Sequence, residues 1–181
     1  MHELTTLRDG SRVLIRPVRR ADRERFEDGF ARLSHESRYR RFLGFKKRLT
    51  EKELVFFTEF DRPGQEALGA LDPTSGEGVG VARYVRLGDS DAAEASVVVV
   101  DAWQGRGVGG ALLERLALLA RETGIRRFVA TLLPDNRAML NLFERLGAVA
   151  LRAGATLELE VELDESRQMA TAAPAGPRAR A

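Results

Sequence analysis

Residues 93–110 read AEASVVVVDAWQGRGVGG, and the fold turns on them. Four consecutive valines behind small residues make a β-branched run too short for a helix, which reads as a strand buried on both faces. Four glycines then fall within six residues, at Gly105, Gly107, Gly109 and Gly110. Beyond them Leu112, Leu113, Leu116, Leu119 and Ala120 keep a helical period, and Thr123-Gly124 stops it. The unit is therefore strand, glycine loop, helix. Glycines let backbone N–H groups approach a ligand with no Cβ in the way. At a helix start those groups are unpaired and carry the positive end of the helix dipole. Together they form a cradle for a pyrophosphate.

The rest of the chain arranges itself around this unit. Downstream, residues 127–133 read as the next strand, closed by Pro134. Met139, Leu142, Phe143 and Leu146 line one face of a last helix that stops at Gly147, and residues 156–163 (TLELEVEL) alternate as a half-exposed closing strand. Upstream, residues 13–18 read as an opening strand with Pro17 near its end. Asp22 starts a helical stretch carrying Phe26, Phe30 and Leu33, and a second helix covers 36–43. Thr50 with Glu53 forms a capping box for a third, with Leu54, Phe57 and Phe60 as its apolar face. Residues 61–64 form a turn, residues 66–71 and 78–87 pair as strands through a turn at 72–76, and residues 88–91 form another turn. The fold class is α/β with a mixed (α+β) sheet: an antiparallel half, then a parallel β-α-β crossover through residues 107–123, which should be right-handed.

A chain of 181 residues suits one compact domain, expected over residues 1–164, with little room for an attached regulatory domain. A tail over 165–181, rich in Ala, Pro, Gly and Arg, is expected to be disordered. Hydrophobic residues are 44% and charged residues 31%, the mix of a soluble globular protein, and no apolar run is long enough to span a membrane. No secretory signal is seen, and the absence of cysteine excludes disulfides, thiolate metal sites and a cysteine nucleophile; a cytoplasmic location is expected. His2 and His35 are too few and too isolated for a metal site. The net charge of +2 argues against a nucleic-acid partner. Residues 38–48 (RYRRFLGFKKR) hold six basic residues and three aromatics, read as a solvated surface near a phosphate or an acidic partner. Residues 61–101 carry an acidic excess, suited to facing a cationic acceptor. Oligomeric state is not legible.

Which phosphate ligand the loop takes depends on its spacing. Gly105, Gly107 and Gly110 satisfy G-x-G-x-x-G, but a nicotinamide or flavin site also needs a doubly wound parallel sheet and an acidic residue ending the next strand, which here ends Leu133-Pro134. The P-loop is excluded by the missing G-K-[ST]. Gln104, Gly107 and Gly109 equally satisfy Q-x-x-G-x-G. In this the sequence resembles the GNAT superfamily of acyl-CoA N-acyltransferases over roughly residues 11–163. It is most similar to bacterial Pat-type protein lysine acetyltransferases in the segments ESRYRRF (36–42), GVARY (80–84) and DAWQGRGVG (101–109).

The resemblance implies acetyl-CoA as cosubstrate, with no metal. Its pantetheine arm would meet the backbone of Val98, Val99 and Val100, in a wedge where the strand before the loop splays from the next parallel strand. The pyrophosphate would lie on the N–H groups of Gly105, Arg106, Gly107, Val108, Gly109 and Gly110, behind Gln104. Asn136 would meet the cofactor, or serve only as a helix cap. Glu94 matches the family's catalytic glutamate. A lysine amine has pKa ~10.4, so the neutral nucleophile costs about 4–5 kcal/mol at pH 7 and a general base has a role. Asp91 and Asp101 are the fallback carboxylates, with turn roles expected of both. A backbone N–H of residue 98 or 99 would meet the oxyanion. Transfer is expected to be direct, without an acyl-enzyme. Many family members carry a tyrosine seven residues after the asparagine to protonate the departing thiolate. Here that position is Phe143, read as core or tunnel packing, and Tyr84 lies in a strand. The acceptor expected from the resemblance is a protein lysine. A small amine or a protein N-terminus, or a non-catalytic acyl-CoA-binding module, is the alternative.

Overall fold

The computed structural model describes residues 2–60 and 64–163. Strands β1 (Glu3–Thr6) and β2 (Arg12–Pro17) open the chain, followed by α1 (Arg23–Ala31), α2 (His35–Phe42) and α3 (Glu51–Thr58). Then come β3 (Gln65–Leu71), β4 (Gly78–Arg86), β5 (Ala92–Val99), α4 (Val108–Glu122), β6 (Arg127–Leu132), α5 (Arg137–Glu144), β7 (Val149–Ala153) and β8 (Thr156–Glu162). They build one eight-stranded mixed sheet in the order β1-β2-β3-β4-β5-β6-β8-β7. Every neighbouring pair is antiparallel except β5–β6, which α4 joins as a crossover.

That parallel contact is short. Ala92, Ala93 and Glu94 pair with Arg127, Phe128 and Val129, and there the pairing ends while both strands continue. The continuation of β5 stays bound to β4 as far as Val99, and β6 stays bound to β8 as far as Leu132. The sheet therefore parts into a wedge beyond Glu94.

The core lies between the sheet and α4. Leu112, Leu113, Leu116, Ala117 and Ala120 are fully buried against Tyr84, Phe128 and Leu159. Burying each large apolar side chain contributes about 1.5–3 kcal/mol. The helices α1 and α2 cover the opposite face, over β4 and β5, and α3 packs on α1. The expected Thr50–Glu53 capping box starts α3. Two strands escaped the sequence reading. β1 alternates only between half-buried and exposed positions, and β7 keeps Val149 and Leu151 exposed at the sheet edge. Neither gives a hydrophobic pattern. The expected turn at 61–64 falls, except for Gly64, outside the described residues, as does the 165–181 tail. Among the described residues no helix is long and apolar enough to cross a membrane.

Asp22 precedes α1 without capping it. Its carboxylate instead takes two hydrogen bonds from Arg16 of β2, at 2.5 and 2.7 Å, and one from the Arg19 N–H at 2.8 Å. Both side chains are almost wholly buried. Burial pushes the Asp22 carboxyl up, but the Arg16 and Arg19 hydrogen bonds outweigh it and hold the group below its usual range. Removing one partner of a buried pair leaves an uncompensated charge. Asp22→Ala is therefore expected to lower the unfolding free energy by about 3–5 kcal/mol in urea denaturation at pH 7. A folded carboxyl below its unfolded pKa of ~3.9 adds its full stability above that value and loses it as pH falls through the folded one. Below about pH 4 the gap between wild type and variant should narrow.

Candidate acyl-CoA site

The wedge opens into a cleft of about 580 Å³, lined from β5 (Glu94, Ala95, Ser96, Val97, Val98, Val99), the glycine loop, α2, α5 and the end of β1. The glycine loop forms its floor. Gly105 and Gly107 take φ of 75° and 105°, a region that favours glycine, and Gly107 is the N-cap of α4. The first helical bond runs from the Ala111 N–H to the Gly107 carbonyl. Among the described residues the N–H groups of 105–110 have no acceptor. They stand at the positive end of a 15-residue helix. Gly109 serves a different purpose: a Cβ there would lie 3.3 Å from Leu142 and 3.7 Å from Val97 and Val99, so its absence lets α5 close on α4. Arg106 turns its guanidinium away, over Trp103 at 4.8 Å and towards Asp9 at 3.7 Å, while its carbonyl accepts from the Arg8 N–H. Arg106 can thus offer the site an N–H but no side chain.

The backbone assignment along β5 needs correction. Val100 donates its N–H to Val79 and its carbonyl accepts from Trp103. The β4 register puts Val98 opposite Val81 in the same hydrogen-bonded phase, two residues on. Both turn their peptide groups to β4, not to the wedge. Of the three valines only Val99 faces the wedge, together with Val97 and Ala95. Alternation along a strand is the cause: three successive residues cannot all point one way. Val98 still lines the cleft through its side chain, whereas Val100 lines only a smaller apolar cavity of about 100 Å³ on the other side of β5. The oxyanion donor expected at 98 or 99 accordingly narrows to 99, with Val97 as its neighbour in phase.

Gln104 is a latch. Its Nε2 donates to the Val99 carbonyl at 3.0 Å and to Ser37 Oγ at 3.2 Å. Ser37 Oγ in turn donates to Asp101 at 3.0 Å, which also accepts from the Ser34 N–H at 2.9 Å. Burial raises the Asp101 carboxyl, but these hydrogen bonds outweigh it and hold the group low. Asp101 thus ties α2 to the loop. Asp91 acts through its carbonyl, which accepts from Arg126 and Arg127. Glu94 is exposed at the cleft, on the last paired residue before the wedge.

Asn136 is the N-cap of α5, its Oδ1 accepting from the Met139 N–H at 3.2 Å, and it also lines the cleft. Phe143 is buried (1% exposed) in the cleft wall. Tyr84 is wholly buried and hydrogen-bonded to Thr123 at the far end of α4, so it offers no acid to the wedge.

The sequence reading missed the arginines. Arg8, Arg40, Arg41 and Arg145 line the cleft against Glu94 and Glu114, an excess of positive charge that fits a polyanionic cosubstrate. Arg41 donates to Ser96 Oγ at 3.1 Å. Arg83, opposite Ser96 on β4, donates to the Phe56 carbonyl and Gln65 and stacks on Phe56. Among the described residues neither has a carboxylate within ion-pair distance, although Glu94 is near enough to act on both. Burial lowers the Arg41 pKa against the pull of Glu94. Burial and then the like charge of Arg41 push Arg83 down to about 10. The signal was present in the sequence, since Arg41 and Arg83 sit inside the ESRYRRF and GVARY segments. The acidic excess of 61–101 does not gather at the cleft: among the described residues Glu94 is the one carboxylate of this segment that lines it, while Glu77 pairs with Arg32.

A family model described as the acetyltransferase (GNAT) family matches residues 26–148, and the chain belongs to that family of acyl-CoA-dependent N-acyltransferases, with acetyl-CoA as cosubstrate. Among its relatives is the acetyltransferase PA5475 of Pseudomonas aeruginosa, 36% identical over 83% of this chain and 82% of that one. The acetyltransferase Pat of Mycolicibacterium smegmatis is 36% identical over 81% of this chain, which spans 44% of Pat's length. The crystal structure of the GNAT domain of S. lividans PAT superposes with a TM-score of 0.84 at 37% identity, over 89% of this chain and 96% of that domain. The cradle fits a diphosphate, and the mixed sheet with one parallel pair removes the dinucleotide alternative. Gly107→Ala forces the loop out of its left-handed turn, at a cost of about 1–2 kcal/mol. It is expected to weaken acetyl-CoA binding roughly tenfold in titration calorimetry; an unchanged Kd would detach the amide cradle from the cosubstrate.

Proposed function

We propose that this protein transfers the acetyl group of acetyl-CoA to a lysine side chain of another protein, with Glu94 as general base. The observation that carries the reading is the position of Glu94. It stands where β5 and β6 part, at one end of a wedge whose other end is the amide cradle. Five residues of strand separate Glu94 from Val99, roughly 17 Å at ~3.4 Å per residue. A pantetheine arm anchored at the cradle and lying along the wedge-facing N–H groups of Val99 and Val97 carries its thioester toward the carboxylate.

The chemistry follows from that placement. A neutral amine attacks the thioester carbonyl carbon, and its proton passes to Glu94. The oxyanion is met by a wedge-facing N–H of β5, Val99 or Val97. The C–S bond then breaks and its electron pair leaves on sulfur. Phe143 supplies no proton, and a thiolate with pKa ~8.5 is a competent leaving group without one. Asp101 is excluded as the base because its carboxylate is committed to Ser34 and Ser37.

The protein-lysine acceptor is supported by the similarity to Pat-type enzymes in three separate segments, which come together in space. ESRYRRF forms α2 and GVARY lies in β4, and the two meet at Ser96, while DAWQGRGVG is the loop at the other end of the wedge, tied to α2 through Ser37. Glu94→Gln should lower kcat for a lysine peptide by 10²–10⁴-fold, followed as free CoA, with acetyl-CoA affinity unchanged. A fully active variant removes the base assignment. A wild-type enzyme that acetylates small amines but no polypeptide removes the acceptor assignment.

A further inference from the structure

The basic, aromatic run of residues 38–48 is only partly used inside the fold. Arg38 donates to the Phe30 and Ala31 carbonyls. Arg40 pairs with Glu36 at 2.6 Å and Asp135 at 3.6 Å, and Lys46 pairs with Glu53. Lys47 and Arg48 are exposed and have no ion-pair partner among the described residues. Beside them lies an apolar patch in open solvent. Phe45 is 96% exposed, with Tyr39 at 43% and Leu43 at 42%. The Tyr39 and Phe45 rings meet edge to face at 6.0 Å, so they form one surface. Leu43 ends α2 at φ 51°, a backbone region unfavourable to a bulky side chain, and it lines the mouth of the acyl-CoA cleft.

A clustered aromatic surface left in water, held in part by a strained backbone and touching a reaction cleft, marks a place where a partner covers it. We infer that Tyr39, Leu43 and Phe45, with Lys47 and Arg48, dock the acceptor polypeptide, and that they select lysines with acidic and apolar residues close by in sequence. Charge complementarity decides the occupant. The two unpaired cations call for carboxylates, and the rings call for an apolar side chain. Continuity with the cleft decides the location. Leu43 and Glu94 line the same cleft, so a lysine entering beside Glu94 brings its chain neighbours over this rim. A nucleic acid is the weaker fit, because this patch holds only two cations without an ion-pair partner among the described residues, on a chain of net charge +2, and attracts a polyanion feebly.

This inference rests on the protein-lysine reading, and the test separates the two. Three peptides of equal length carry one central lysine flanked by glutamate, serine or arginine, each with one leucine. Free CoA is followed with the full chain, as wild type, as Lys47→Glu/Arg48→Glu and as Phe45→Ser. Acetyl-CoA affinity, measured by calorimetry, should be the same in all three proteins. The expected wild-type order of kcat/KM is glutamate over serine over arginine, with roughly tenfold between the extremes at low salt. The double charge reversal should invert that order. Phe45→Ser should raise KM several-fold for every peptide and leave kcat alone. Equal kcat/KM for the three peptides, or variants indistinguishable from wild type, overturns the docking inference while leaving the lysine reading intact. No turnover of any peptide beside turnover of small amines overturns both. Salt-sensitive binding of an RNA oligomer that Lys47→Glu/Arg48→Glu abolishes, with peptides insensitive to their flanks, reassigns the patch to nucleic acid.

Discussion

Everything in this molecule follows from the parting of β5 and β6 after three residues of parallel pairing. A strand that leaves its neighbour strips one edge of its hydrogen-bond partners, and unpaired peptide groups in a cleft need a ligand or water. On β5 those groups belong to Ala95, Val97 and the N–H of Val99, because β4 occupies the alternate phase and Gln104 takes the Val99 carbonyl. An extended chain bearing amides, such as pantetheine, completes the edge much as an added strand would. The wedge is thus a sheet with one strand left out, and the acyl donor is what fits.

The helix crossover makes the opening chemically directional. The same turn that carries the chain from β5 into α4 leaves its amides unbonded at the positive end of the helix. The diphosphate end of the ligand has one place to go, and the rest of it is thereby directed along the wedge. Gly109 and Leu142 then hold α5 against α4, closing the wall that Phe143 and Asn136 share. The arrangement separates two tasks. The anion cradle is made of backbone amides, with arginines lining the same cleft, and the proposed proton acceptor is one carboxylate at the far end.

Much of this was legible in the sequence, for identifiable reasons. The valine run, the glycine cluster, the leucine period of α4 and the Thr50–Glu53 box are local signals, and local physics produces the elements they announce. The edge strands β1 and β7 were not legible, because their apolar residues Leu4, Val149 and Leu151 lie on the exposed side and leave no hydrophobic alternation to read. The phase of β5 was also hidden. Which valine faces the wedge is set by the register with β4, a contact across the sheet that no local pattern encodes. The same holds for Arg41 and Arg83: their meeting around Ser96 joins residues 42 positions apart in the chain. The acidic middle segment misled as a substrate cue, since proximity in sequence scatters Glu77, Asp91 and Asp101 to different ends of the sheet and gives each a partner within the fold.

The brevity of the β5–β6 seam has a mechanical consequence. Five strands on one side and three on the other are stitched each by continuous antiparallel ladders, yet the two leaves share a spine of three residues. Stiff pages on a narrow binding flex at the binding. The seam is thus the thinnest hydrogen-bonded line in the sheet, and α4, buried against Tyr84 of one leaf and Phe128 of the other, is what spans it.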